Sequence, residues 1–303
     1  MSLHVNLVIL NYRGRLLLER FIPSWIRSAE KSSYPCRVTV LDNGPEDGSE
    51  TFVRSRYPGV AWVGAPENKV LCSYNAFAQA AAEDILILLN NDIETEEGFV
   101  DPLVEPFLKD PDVFFVATHG DLPIVRRRWG IFSAELDYAG YAERIEHGGA
   151  PFSAGIGAFD RKKFLELGGY DELFLPGRYE DVDLCYRGWK KGWIGVYAPQ
   201  SRKKHLGGVS FNKAFTPDET QAMVFRNGIL FMTKNITDPF FFILFVLGTF
   251  ARVVFCALTL RKPYLEGFAA ALGCLGRARR SRKEAQRHFT LSDRQVLKKV
   301  SVA

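Results

Sequence analysis

The chain alternates short apolar runs with amphipathic stretches from its start. Residues 5–10 are mostly apolar and stop at Asn11-Tyr12-Arg13-Gly14. Residues 15–28 then carry Leu16, Leu17, Phe21, Trp25 and Ile26 at helical spacing. A second apolar run, 37–41, ends in Asp42-Asn43-Gly44, and a third covers 60–63, with a short helix predicted over 50–56. An Ala-rich helix over 73–82, with Ser73 as its expected cap, leads into Ile-Leu-Ile-Leu-Leu at 85–89. Five apolar residues without interruption fit a strand buried on both faces, as in a parallel sheet. Strands alternating with helices at this spacing predict βαβ units, hence an α/β fold with a mixed, mostly parallel sheet flanked by helices.

The pattern changes in the second half. A helix is predicted over 101–110, an irregular stretch over 121–149, a helical turn over 164–167 closed by Gly168-Gly169, and a strand over 193–197. The stretch 121–149 holds Arg126-Arg127-Arg128-Trp129, which fits an anionic acceptor, a membrane face or a solvated turn equally well. A helix through 226–234 precedes residues 239–260, which are almost wholly apolar and broken by Arg252. As a helix this segment would rise about 33 Å, enough to cross a bilayer core. Arg252 at the centre would cost roughly 2.5–3.5 kcal/mol. A second, shorter apolar segment, 264–276, runs into Arg277-Ala-Arg-Arg-Ser-Arg-Lys283. A single span, an in-plane helical pair with a polybasic anchor, and a buried core or oligomer interface compete here, and the short lengths and Arg252 favour the in-plane pair. The expected division is therefore a catalytic domain over 1–235 and apolar helices with a basic tail over 236–303.

Charge sharpens that division. The net charge of +4 is uneven: residues 261–303 hold eleven Lys/Arg against three Asp/Glu, which leaves residues 1–260 at −4. A weakly acidic body with a basic tail does not fit a nucleic-acid-binding domain; it fits an enzyme with a basic attachment to an anionic surface. Five cysteines, an odd number with no C-x-x-C pair, fit a reducing compartment rather than a disulfide framework or zinc knuckle. Residues 1–5 run directly into the first strand, so no signal peptide is expected.

The candidate chemistry lies where strands end. Gly14 alone follows the first strand, not G-x-G-x-x-G, which disfavours a dinucleotide fold. Asn11, Asp42 and Asn90-Asn91-Asp92 instead stand at three strand ends, where open α/β sheets bind ligands. A carboxylate there, flanked by amides, is a half-site for a divalent metal carrying a phosphate, or else a helix cap. Further on, Glu180-Asp181-Val182-Asp183 sets three carboxylates before an amphipathic helix marked by Leu184 and Trp189. A cap explains one of them; the cluster can hold a general base tuned by its neighbours. His205, beside Lys203 and Lys204, is by type more often structural than a ligand.

Taken in order, these segments resemble the inverting family 2 glycosyltransferases of GT-A fold, and more narrowly their rhamnosyltransferase-like branch. The matching residues are Asn11-Tyr12, Leu41-Asp42-Asn43-Gly44 with Asp47-Gly48-Ser49, Asn68 with Asn75, Leu88 to Asp92, Gly168 to Glu172, Glu180 to Cys185, and His205 with Gly208 and Ser210. The resemblance covers residues 5–235. It implies that Asp42 contacts the nucleotide base with Asn11 and Arg13 nearby, that Asn68, Asn75 and Asn90 are donor contacts, and that Asp92, in a DxD-type motif, and His205 hold Mg2+ or Mn2+. It implies Asp181 as the catalytic base with Glu180 its neighbour. The implied reaction moves one sugar, dTDP-rhamnose being one open donor beside UDP- and GDP-sugars, to a hydroxyl of a growing lipid-linked surface glycan. The expected partners are the nucleotide-sugar donor, a glycan or glycolipid acceptor and the inner leaflet, with no nucleic acid. The implied location is the cytoplasmic face of the cell membrane, peripheral or monotopic. Two departures stand out: Lys69-Val70-Leu71 replaces a Gly-containing turn, and Pro45 stands where Ser is usual. A nucleotidyltransferase would want a Gly/Arg/Lys-rich phosphate loop after the first strand, a processive polysaccharide synthase Q-x-x-R-W and several spans, and a sugar-nucleotide-binding scaffold would lack the carboxylates.

Overall fold

A computed structural model of the chain describes residues 3–44, 47–120, 150–207 and 214–300. The segments 121–149 and 208–213, with Pro45, lie outside them, and so do Arg126 to Trp129, Gly208 and Ser210.

The first half follows the sequence reading within one or two residues. Strand β1 (Val5–Asn11), helix α1 (Arg15–Glu30), β2 (Cys36–Asp42), α2 (Ser49–Arg56), β3 (Ala61–Gly64), α3 (Ser73–Ala80) and β4 (Ile85–Asn90) succeed one another as βαβ units. β1, β2, β3 and β4 pair in parallel, with Asn11 opposite Asp42 and Leu10 opposite Asn90. Parallel strands covered on both faces must be apolar throughout, and Leu7, Ile9, Ile85, Ile87 and Leu89 are buried with α1 on one face while Val8, Leu86 and Leu88 are buried on the other. Ser73 does not cap α3; its hydroxyl accepts from Lys69 N and donates to Glu67 O, tying off the 3-10 turn Val70–Cys72.

The second half adds strands the periodicity did not announce. After a three-residue strand β5 (Ile93–Thr95) and helix α4 (Asp101–Lys109) comes β6 (Val113–Thr118). β7 (Gly157–Asp160) lies antiparallel between β4 and β6, giving a seven-stranded sheet in the order β3-β2-β1-β4-β7-β6-β8, where β8 is Ile194–Ala198. β9 (Lys203–His205) pairs with β5 in a separate two-stranded ribbon. Helices α5 (Arg161–Glu166) and α6 (Glu180–Lys191) flank β7 and β8 in sequence.

The last third is helical: α7 (Pro217–Asn235), α8 (Pro239–Leu258), α9 (Lys262–Gln286) and α10 (Asp293–Val300). α9 runs parallel to α7, with Arg226 reaching Cys274 and Arg282 donating to Thr233 O at 2.8 Å. α8 returns antiparallel along them, with Phe242 under Arg282 and Arg252 over Tyr264. The division expected at 235/236 is not a gap in the packing. Residues from Val8 to Val300 share one hydrophobic cluster. Asp293, at the start of α10, accepts from Lys190 of α6, Tyr186 and the backbone of Thr237 and Asp238.

Candidate active site

Three strand ends are joined by side chains. Asn91 Nδ2 donates to Asn11 Oδ1 at 2.8 Å, and Asn11 Nδ2 donates to Asp42 Oδ1 at 2.8 Å. The order fixes the Asn11 amide, which must turn its NH2 toward the carboxylate. Gly14 makes room for the contact: a Cβ there would meet Asn91 Nδ2 at 2.1 Å and Asn11 Oδ1 at 2.5 Å. Asp42 is half-buried. Burial raises its pKa, against the Asn11 and Gly44 hydrogen bonds that favour the charged form. Arg13 is exposed beside it, at positive φ, with its guanidinium over Tyr12.

Asn91 is the second amide of this relay. Asn90 ends β4 and is half-buried. Asn68 is exposed and accepts from Val70 N at 3.1 Å. Val70 itself has φ of 50°, so the turn that lacks glycine still adopts the left-handed region, held by Asn43 Nδ2 on Val70 O. A β-branched residue there costs on the order of 1–3 kcal/mol. Asn75 commits both ends of its amide to the backbone of Tyr170, donating to its carbonyl and accepting from its N–H at 2.8 Å each. In this structure it braces the Gly169-Tyr170 turn rather than facing the strand ends.

Asp92 follows the relay directly. The β5–β9 ribbon pairs Ile93 with His205, and Leu206 N donates to Asp92 O. This sets His205 Nε2 3.4 Å from Asp92 Oδ1, with 112 intervening residues folded back to one point. Among the described residues no third His, Cys, Asp or Glu completes a cluster that would hold an ion by itself. An oxygen and a nitrogen donor at one strand end fit a divalent ion that takes its other ligands from phosphate oxygens and water.

Glu180 and Asp181 open α6 from the other side. β7 pairs with β4 so that Gly157 lies opposite Leu88. Gly155 lies two residues before β7. A Cβ at Gly155 would lie 2.9 Å from Asp181 Oδ2, so Asp181 stands over the same end of the sheet. Burial raises the Asp181 pKa, opposed by the backbone N–H groups of Val182 and Asp181 and by Arg178. Glu180 is almost fully buried, and burial together with the Asp181 charge raises its pKa as well. The loop before them is strained: Arg178 and Tyr179 have φ of 72° and 74°. Asn227, fully buried on α7, holds it by turning Nδ2 to the carbonyls of Phe174, Gly177 and Arg178 at 2.7–2.9 Å.

The third carboxylate has a different task. Asp183 accepts from Arg187 Nε, Lys234 Nζ and Asn235 Nδ2, each at 2.8 Å. Lys234 also reaches Asp171 at 2.7 Å. Burial alone would raise the Asp171 pKa, but Lys234, Leu173 N and Arg187 bring it down to about 2. Asp183 thus ties α6 to α7. Asn227 and the Asp183–Lys234 pair escaped the sequence reading, because their partners lie about fifty residues away.

The profile of the Glycosyl transferase family 2 matches residues 7–168, more than half of the chain. This chain belongs to glycosyltransferase family 2. The matched segment contains the Asn11–Asp42–Asn91 relay and Asp92, while Glu180, Asp181 and His205 lie beyond it. Within the family, the sequence is similar to N-acetylglucosaminyl-diphospho-decaprenol L-rhamnosyltransferase of Mycobacterium tuberculosis (strain H37Rv), 28% identical with 62% of this chain and 71% of that protein covered. A putative polypeptide N-acetylgalactosaminyltransferase 10 of Drosophila melanogaster is 25% identical over 41% of this chain and 22% of its own length. The fold is that of the crystal structure of GalNAc-T7 with UDP, GalNAc and Mn2+, at TM-score 0.68 and 17% identity, over 99% of this chain and 57% of that one. The mannosyltransferase PcManGT from Pyrobaculum calidifontis, in complex with GDP-Man and Mn2+, aligns at TM-score 0.53 and 15% identity, over 93% and 88%. This family 2 chain therefore has the GT-A architecture, with a helical extension carrying one long apolar helix.

Proposed function

We propose that this protein is an inverting, metal-dependent glycosyltransferase that moves one sugar, with rhamnose the favoured candidate, from a nucleoside diphosphate to a hydroxyl of a lipid-linked surface glycan at the cytoplasmic face of the cell membrane. The observation that carries this reading is the joining at the strand ends of the Asn11–Asp42–Asn91 relay to the Asp92–His205 pair, with Asp181 close to Gly155 ahead of β7. The lipid-linked acceptor and the rhamnosyl donor are supported by the likeness to a rhamnosyltransferase whose name specifies a diphospho-decaprenol substrate.

Asp42, oriented by Asn11, accepts hydrogen bonds from the base of the donor, with Arg13 beside it. Asp92 and His205 would hold Mg2+ or Mn2+, which supplies charge neutralisation for the departing diphosphate; the Mn2+ in the two structural neighbours is in keeping with this. Asp181 takes the proton from the acceptor hydroxyl as its oxygen attacks C1 from the face opposite the diphosphate, and the anomeric centre inverts. The carbon is oxocarbenium-like at the transition state, as in glycoside hydrolysis. A raised pKa suits this task, because a stronger base takes the proton more readily. Glu180, buried beside it, has its own pKa raised to about 8 by burial and by the Asp181 charge.

A thermal-shift panel tests the donor side. Nucleotide sugars are added with and without Mn2+ or Mg2+, and the melting temperature should rise for one base and rise further with metal, since ligand bound to the folded state stabilises it by mass action. No rise with any donor, with metal present, refutes the assignment of the strand-end cluster.

A further inference from the structure

Helix α8 is apolar all round, yet its two sides meet different surroundings. One stripe, Phe241, Phe245, Gly248 and Cys256, is buried against the rest of the protein. Arg252 belongs to that stripe, with its guanidinium 5.7 Å from the Tyr264 ring centroid on α9. On the opposite side Phe240, Ile243, Leu247, Phe250 and Leu258 are between 56% and 80% exposed. Their spacing of three and four places them on one helix face. Over 20 residues this face is about 30 Å long.

Basic side chains bound the stripe. At its start Arg294 pairs with Asp238 and lies over the Phe240 ring at 6.0 Å. At its end Arg261 lies over Phe255, and Lys262 is exposed next to it. The whole segment 261–303 carries eleven Lys/Arg against three Asp/Glu. A second copy of this chain would bring the same positive charge to the same face and repel it. An anionic bilayer surface would attract it, and offers apolar depth for the stripe.

We propose that the outward stripe of α8, flanked by Arg261, Lys262 and Arg294, docks in the plane of an anionic lipid bilayer, with α8 remaining packed on α7 and α9. The length and composition of α8 also suit a span. Spanning would require α8 to leave its buried stripe and the Arg294 contact to Asp238. In-plane docking keeps both, and leaves Arg252, which the sequence counts against a span, over Tyr264 of α9. This deepens the proposed function by giving the side from which a lipid-linked acceptor arrives, and rests on that reading only for its biological sense.

The test uses the full chain, without sugars, sedimented with phosphatidylcholine vesicles that contain or lack phosphatidylglycerol. Wild type should partition onto the anionic vesicles and much less onto the neutral ones. Leu247→Glu with Phe250→Glu should reduce partition about tenfold or more on the anionic vesicles. Arg261→Gln with Lys262→Gln should reduce it about fivefold per charge, and only when phosphatidylglycerol is present. Both variants should keep the wild-type melting temperature and any nucleotide-sugar thermal shift, which separates failure of docking from failure of the donor site. Three results would each overturn the proposal: wild type left in the supernatant with both vesicle types, a lipid-free dimer that the Leu247/Phe250 variant converts to monomer, or bound protein that alkaline carbonate does not release, as expected of a span.

Discussion

At the ends of β1, β2 and β4, Asn11, Asp42 and Asn91 meet through neutral amides. Beneath α6, Asp171, Asp183, Arg187 and Lys234 meet as alternating charges, with Asn235 filling the last oxygen. The residue types overlap, and the compensation differs. Asp183 is fully buried and takes three donors, two of them cationic. Asp42 stays half-exposed, and Asp181 keeps part of its surface at the mouth of its helix. A carboxylate whose charge is already matched inside the protein has nothing to offer a ligand. One held by dipoles and left partly open can exchange water for substrate. The contrast between Asp181 and Asp183, two positions apart, teaches that a carboxylate cluster divides by what faces each member, not by its motif.

Substitution should separate the two most sharply there. Asp181→Asn is expected to lower the transfer rate by about a hundred- to ten-thousand-fold while leaving the urea melt and the donor-induced thermal shift in place. Asp183→Ala should instead lower stability by about 3–5 kcal/mol, because Lys234 and Arg187 are left buried without their shared anion; equilibrium urea denaturation reads it. If Asp181→Asn were the destabilising one, the division would be reversed.

Acidity should act on the two regions with opposite sign. Asp171 has a folded pKa of about 2, below its unfolded value, so its stabilisation is present above the unfolded pKa and is lost as pH falls through about 2. That loss should amount to about 2 kcal/mol in urea melts taken from pH 5 downward, and Lys234→Met should abolish this pH dependence. The Glu180 pKa is raised, so its ionisation costs stability as pH climbs from the ordinary carboxylate range through the folded value. Glu180→Gln should flatten that decline. The smallest effect is expected at the relay: Asn91→Ala leaves Asn11 without its orienting donor and should weaken nucleotide-sugar binding by about 1 kcal/mol, read by calorimetry, without altering the acid limb.

Much of the sheet was legible because an apolar run that stops at a polar residue marks a buried strand and its end; Asn11, Asp42 and Asp92 were found that way. β7 was not, since Gly157-Ala158-Phe159 is short and nothing local says that it runs antiparallel. Asn91 was undervalued because its partner, Asn11, is eighty residues earlier. Asp183 was grouped with Glu180 and Asp181 because Lys234 can be paired with it only in three dimensions, although Arg187 stands one helical turn away. α8 posed a related problem: an all-apolar helix does not tell from sequence which stripe faces inward, and Arg252 pointed to the answer only once Tyr264 stood beneath it.

The amide of Asn227 carries a consequence for how the enzyme is made. It supplies the donor for three carbonyls in the loop that presents Asp181, yet it lies forty-six residues further along the chain. Domains emerge from the ribosome N-terminal end first. A nascent chain can therefore complete the sheet and its strand ends while the left-handed pair Arg178-Tyr179 still lacks its brace. Chains truncated by premature termination between Tyr179 and Asn227 would lack that brace. The loop of Arg178 and Tyr179 can be braced only once α7 has been made.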